Sequence, residues 1–129
     1  MPTTASTAPL YAIKAELFRS LAHPTRIQVL EVLSADADHA ASVSRLLAAT
    51  GAEASALSQH LAVLKRAGVV ASERTGNAVV YRLSRPLVAE LLVVARAFLR
   101  ETLSASGAQL AAADQLPALS EGVAGGDRS

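Results

Sequence analysis

Apolar residues return every three or four positions along the first part of the chain. In "LYAIKAELFRSLAH", Leu10, Ile13, Leu17 and Leu21 form one stripe, and Tyr11, Ala15 and Phe18 form a second. Residues three and four apart share a helix face, so this spacing predicts a helix ending near His23. Pro24 opens a second helix, continued by "TRIQVLEVLS" with Ile27, Leu30 and Leu33 inward. Proline suits the first turn, where its missing N–H would have no partner anyway. "SADADHAA" reads as a polar loop. Ser42 is placed to cap a short third helix, "VSRLLAAT", and Gly51 to end it in the left-handed conformation. Three residues later a fourth helix spans about 54–67, closed by Gly68, with Leu57, Leu61 and Leu64 at i, i+4 and i+7 as a single apolar stripe.

The period then changes to two. "VVASERTGNAVVYRLS" predicts two short strands around Thr75, Gly76 and Asn77, with Gly76 and Asn77 supplying residues that tolerate positive φ. Strand alternation puts Tyr81 on the same side as Val79, packed beneath the hairpin. A last long helix follows at about 86–104, with a short continuation near 108–115. It is apolar on two sides: Leu87, Leu91, Val94 and Phe98 on one, Val88, Leu92, Leu99 and Leu103 on the other. One side can cover its own domain, and the second needs another surface, which a two-fold mate supplies.

The order helix, helix, helix, short turn, helix, hairpin, helix is mainly α with a small β-hairpin, a winged helix-turn-helix. Residues 1–8 are expected to be a disordered tail, 9–104 the domain, and 105–129 a weakly structured tail. The dimerisation surface is expected to join Leu10, Leu17 and Leu21 of the first helix to Leu92, Leu99 and Leu103 of the last. On the fourth helix, Ser55, Ser58 and Gln59 lie away from the leucine stripe. Their short polar side chains suit close approach to base edges in a major groove.

Composition narrows the function. The chain is 51% hydrophobic yet has two Phe, two Tyr and no Trp, so its apolar mass is Ala, Leu and Val, which favours packed helices. Cysteine is absent, which excludes disulfides, thiol nucleophiles and thiolate metal sites. No nucleophile–base pair, phosphate-binding glycine loop or carboxylate dyad occurs at usable spacing, so no enzyme is expected. The first ten residues lack the basic and apolar regions of a secretory signal. The longest apolar run, at 87–99, is interrupted by Glu90 and Arg96, so no membrane span is expected and the cytoplasm is the expected compartment. The net charge of +1 conceals a basic centre: Lys65, Arg66, Arg74, Arg82 and Arg85 face only Glu53 and Glu73 within residues 53–85. Such a centre between neutral and acidic flanks is a modest nucleic-acid signal.

"LAHPTRIQVLEVL", "ALSQHLAVLKRAGVV" and "ERTGNAVVYRL" together make the chain resemble the ArsR/SmtB-type bacterial winged-helix repressors. The words stand in the family's order and spacing across most of residues 10–100. The resemblance implies a homodimer held by the first and last helices on an imperfectly palindromic, double-stranded DNA operator. It places Ser55, Ala56, Ser58, Gln59 and His60 on DNA through the recognition helix, and Arg74, Gly76 and Asn77 at the wing tip. Lys65 and Arg66 are expected on phosphates, in positions that also complement the helix dipole.

The chain departs from the family where metals bind. The Cys-x-Cys positions are Ser42 and Ser44 around Val43, and the Asp/His positions of the last helix have become Val, Leu, Ala and Arg, leaving Glu90. No cofactor is therefore expected. Asp36, Asp38 and His39 form the one cluster with ligand chemistry and read as a solvated loop, while His23 reads as structural. A metal held by this chain would need His and carboxylate ligands, which suit nickel, zinc or cobalt. The alternatives to a metal-independent DNA-binding regulator are a regulator sensing one of those metals and a protein-interaction module gated by a second regulatory protein.

Overall fold

The computed structural model describes residues 2–104, with 2–8 described by backbone alone. The elements are α1 (Pro2–Leu21), α2 (Pro24–Ala35), β1 (Ala40–Ser42), α3 (Val43–Thr50), α4 (Ala54–Arg66), β2 (Val70–Thr75), β3 (Ala78–Leu83) and α5 (Pro86–Leu103). This is the expected winged helix-turn-helix with one strand added. Residues 2–8, read from composition as a tail, continue α1 at its start. The short helix expected near 108–115 lies outside the described residues.

Local signals placed most boundaries. The Ser42 hydroxyl accepts the Arg45 N–H at 3.1 Å and caps α3, and Gly51 ends that helix at φ 68°. In the hairpin Gly76 takes φ 65° and Asn77 stays negative, which excludes a turn with two left-handed residues and leaves the glycine-first type II′ pattern. The strands pair antiparallel from Val70 opposite Leu83 to Thr75 opposite Ala78.

The added strand comes from the segment expected to be a solvated loop. Asp36 Oδ2 accepts the N–H groups of Asp38 (2.8 Å) and Ala40 (3.3 Å), and Oδ1 accepts from the Arg45 guanidinium (3.0 Å). Those bonds hold the Asp36 carboxyl below its ordinary range, Arg45 contributing most. His39 takes φ 56°, and its carbonyl accepts the Leu83 N–H at 3.0 Å. The chain is thereby laid beside β3, giving a three-stranded sheet in the order β1-β3-β2.

The core forms around α2, whose Val29, Leu30 and Leu33 are wholly buried against Leu46 of α3 and Leu57, Leu61 and Leu64 of α4. Glu31 is also buried, at 4% exposure, and pairs with Arg96 of α5 at 3.0 Å. Burial pushes the Glu31 carboxyl up, against the opposing pull of Arg96.

Two expected dimerisation residues belong to this core. Leu21 is 7% exposed and Leu92 5%, so neither is available to a mate. The helices are rotated so that Leu92, with Val88, Ala89 and Leu91, packs inward, while Leu87, Val94 and Phe98 face out. Leu99 remains exposed and Leu103 half-buried; on α1, Leu10, Tyr11, Ile13, Leu17 and Phe18 are exposed.

Arg96→Met should strand a buried carboxylate and cost about 3–5 kcal/mol near pH 7. The loss should shrink as pH falls, because a neutral Glu31 needs no counterion. Urea denaturation of both proteins at neutral and mildly acid pH checks this.

Candidate nucleic-acid interface

Helices α3 and α4 are joined by residues 51–53, and α4 is anchored by its buried leucines. That anchoring turns Ser55, Ser58, Gln59 and Ala62 to solvent, with Ala56 half-buried beside them. The N-cap Glu53 makes no capping bond; its carboxylate instead accepts the Ser55 hydroxyl at 3.0 Å. Ser58 and Gln59 keep their polar groups clear of such local bonds among the described residues.

At the other end of α4, Lys65 Nζ donates to the Ser72 hydroxyl of β2 at 2.9 Å, tying the helix to the wing. Arg66 is exposed, as are Arg74, Gly76 and Asn77 along the wing tip. Arg82 is taken up by Glu73 across the hairpin at 3.2 Å. Lys65, Arg66, Arg74 and Arg85 have no carboxylate partner among the described residues. Tyr81 is half-buried against the core, as strand alternation indicated.

His60 differs from its neighbours. Its ring lies 4.2 Å from that of His23, tilted by 40°, and its Nδ1 is 3.1 Å from the Arg26 guanidinium. Both neighbours, and burial before either, push its pKa down. His23 caps α2, its Nδ1 accepting the Thr25 N–H at 3.0 Å. Arg26 was missed by sequence reasoning, and local spacing carries no signal of a contact made 34 positions away.

The family's metal chemistry does not fit these residues. Ser42 offers a hydroxyl already used as a helix cap, and both Asp36 oxygens accept hydrogen bonds. Among the described residues no group of three or more His, Asp or Glu side chains is placed to hold a metal ion.

A short turn between two packed helices, a polar outer face on the second and a basic-tipped hairpin define a winged helix-turn-helix. Residues 21–73 match a family model described as a helix-turn-helix domain. The chain is 53% identical over 97 residues to an uncharacterized HTH-type transcriptional regulator, Rv0081, of Mycobacterium tuberculosis, covering 74% of this chain and 82% of that one. The crystal structure of Rv0081 superposes with a TM-score of 0.68, at 52% identity over 74% of this chain and 94% of that chain. A solution structure from Mycobacterium bovis, described as a homodimeric winged helix-turn-helix DNA-binding domain of a possible ArsR-family regulator, gives a TM-score of 0.67 at 29% identity, covering 75% and 87%. This chain belongs to the ArsR/SmtB-type family of winged helix-turn-helix transcriptional regulators.

The depressed His60 pKa has a thermodynamic consequence. Below about pH 6.5 an unfolded histidine takes up a proton that folded His60 resists, so stability falls as pH drops through that range. His60→Gln should flatten this part of the stability profile relative to wild type, as thermal denaturation between neutral and mildly acid pH would show.

Proposed function

We propose that the protein binds an imperfectly palindromic DNA operator as a cytoplasmic homodimer, inserting one α4 per half-site into successive major grooves. The observation that carries this reading is the outer face of α4, where Ser58 and Gln59 are exposed on the same helix as the exposed Lys65 and Arg66, followed in the chain by a wing with exposed Arg74. Gln59 can pair two ways with an adenine edge, Ser55 and Ser58 approach the groove floor, and Lys65, Arg66 and Arg74 neutralise phosphates. The described helices include none long and apolar enough to cross a membrane.

The dimer is supported by the apolar surface that the fold leaves uncovered. Val94 and Phe98 are 65% and 63% exposed on α5, and Leu10 and Ile13 are 58% and 64% exposed on α1. Covering such a surface with a two-fold mate removes it from water and sets the spacing of the recognition helices, about 34–36 Å for adjacent grooves. The reading is a binding function with no catalytic step and no resident metal; among the described residues no three His, Asp or Glu side chains are grouped to hold one.

Footprinting on the gene's own upstream region tests the assignment. Gln59→Ala should cost about 1–3 kcal/mol of discrimination at one base pair with the fold intact. Operator binding as tight and selective as wild type would remove Gln59 from the interface.

Phe98→Glu places a charge beside its two-fold counterpart, at a cost of several kcal/mol per buried ion. The variant should sediment as a monomer with helical circular dichroism preserved and operator affinity lost. A variant that stays dimeric would show that this face is not the interface.

A further inference from the structure

We propose that His23, Arg26 and His60 together form a seat for one phosphate of the DNA backbone, beside the base-reading face of α4. This deepens the DNA-binding reading and rests on it. Three elements supply the seat: the α1–α2 junction, the first turn of α2 and the middle of α4. The imidazoles lie 4.2 Å apart between centroids, and the guanidinium reaches His60 Nδ1 at 3.1 Å.

The chemistry of the three groups is one-sided. His23 Nδ1 is occupied as an acceptor by Thr25 N–H, and His60 Nδ1 by Arg26. In the neutral rings each Nε2 therefore carries the proton and is a donor, and Arg26 has donors only. The cluster offers hydrogen bonds and positive charge and keeps no free acceptor, which suits a phosphate oxygen better than a base edge, where donors and acceptors alternate.

The cluster also lacks an internal counterion. The ion pairs among the described residues are Glu16 with Arg19, Asp36 with Arg45, Glu73 with Arg82 and Glu31 with Arg96; none includes these three residues. Of the charged groups on the elements packed against α4, α1 carries Lys14, Glu16 and Arg19, with Glu16 held by Arg19; β2 carries Glu73 and Arg74, with Glu73 held by Arg82; and α2 carries Arg26 and Glu31, with Glu31 held by Arg96. No carboxylate on these elements is left to face the cluster. The Arg26 Nε–H is buried with no acceptor, a desolvation cost left standing in the free protein. An incoming anion would supply the counterion that the Arg26 guanidinium lacks among the described residues. A metal cation is opposed by the guanidinium and would find two imidazoles at most.

Further protonation of either ring could occur only at Nδ1, which would break the Thr25 cap or the Arg26 bond, so the seat holds phosphate through the two Nε2–H groups and Arg26. The test is fluorescence anisotropy of a random-sequence duplex of about 30 base pairs, between about 50 and 200 mM salt at about pH 7.5. His60→Ala, and His23→Asn (which keeps a capping oxygen), should each weaken duplex binding about tenfold, the scale of one charge-assisted hydrogen bond. Arg26→Gln should lower the salt slope by about one unit per protomer, and Arg26→Lys should restore it.

If Arg26→Gln fails to fold, the wild-type protein still decides: the His23 and His60 ring resonances must shift in position with duplex bound. Rings whose resonances do not move on duplex binding overturn the seat. So does a wild type that binds duplex with a normal salt slope while these variants keep its slope and affinity. Ring resonances that respond to inorganic phosphate but not to duplex would make this a free-anion site and overturn the backbone role. A wild type with no salt-dependent binding to any duplex overturns the DNA reading itself, and the seat with it.

Discussion

Helices α3, α4 and α5 and the strands β1 and β3 all take their positions from α2. Val29, Leu30 and Leu33 leave no part of their surface to water, and the helix also buries Ser34 and Glu31. A helix buried on several sides acts as a post: α3, α4, α5 and the sheet are fixed in space by which side they cover. The Ser34 hydroxyl returns to the Leu30 carbonyl at 2.8 Å, so it asks nothing of its neighbours. Glu31 does. A carboxylate at that depth needs a cation, and Arg96 supplies it from α5. Arg96 stands one and two turns from Leu92 and Val88 on one face of α5, so the rotation that brings Arg96 to Glu31 also carries Leu92 and Val88 to the core.

Once that rotation is set, the opposite side of α5 has no occupant in its own domain. Val94 and Phe98 point outward, as do Leu10, Ile13 and Phe18 of α1. The protomer thus carries two functional surfaces held by the same post: an apolar one suited to a second copy and a polar one on α4 suited to a groove. A buried ion pair contributes little net stability compared with an apolar replacement. Its value here lies in orientation, since the relation between the two surfaces follows from where Arg96 ends.

Charge is distributed with similar economy. Arg19, Arg45, Arg82 and Arg96 are each neutralised within the domain. Among the described residues, Lys65 and Arg66 at the end of α4, Arg74 on the wing, Arg85 at its base and Arg26 beneath the recognition helix have no carboxylate partner, and neither has Lys14 on α1. A net charge of +1 says nothing of this sorting. The proposed interface is defined by which cations lack partners more than by how many cations there are.

Much of this was legible in the chain alone. The leucine period of α4, the Ser42 cap, Gly51, the Gly76 turn and the three family words locate the helix-turn-helix, its wing and the outward Ser58 and Gln59. Each is a local relation, settled within a turn of helix or a pair of strands. What tertiary structure decided involves partners far apart in sequence. A three-residue Ala-Ala-Ser strand has no period to read, and it exists because Asp36 and Arg45 fold it against β3. A helix apolar on two sides carries no local mark of which side is its own, so Leu21 and Leu92 became core while Phe98 was left outside. His60, legible as one polar residue among several, acquired His23 and Arg26 as neighbours only when α2 packed beneath α4. Periodicity reports that a face must be buried; the identity of what buries it is a property of the packed whole.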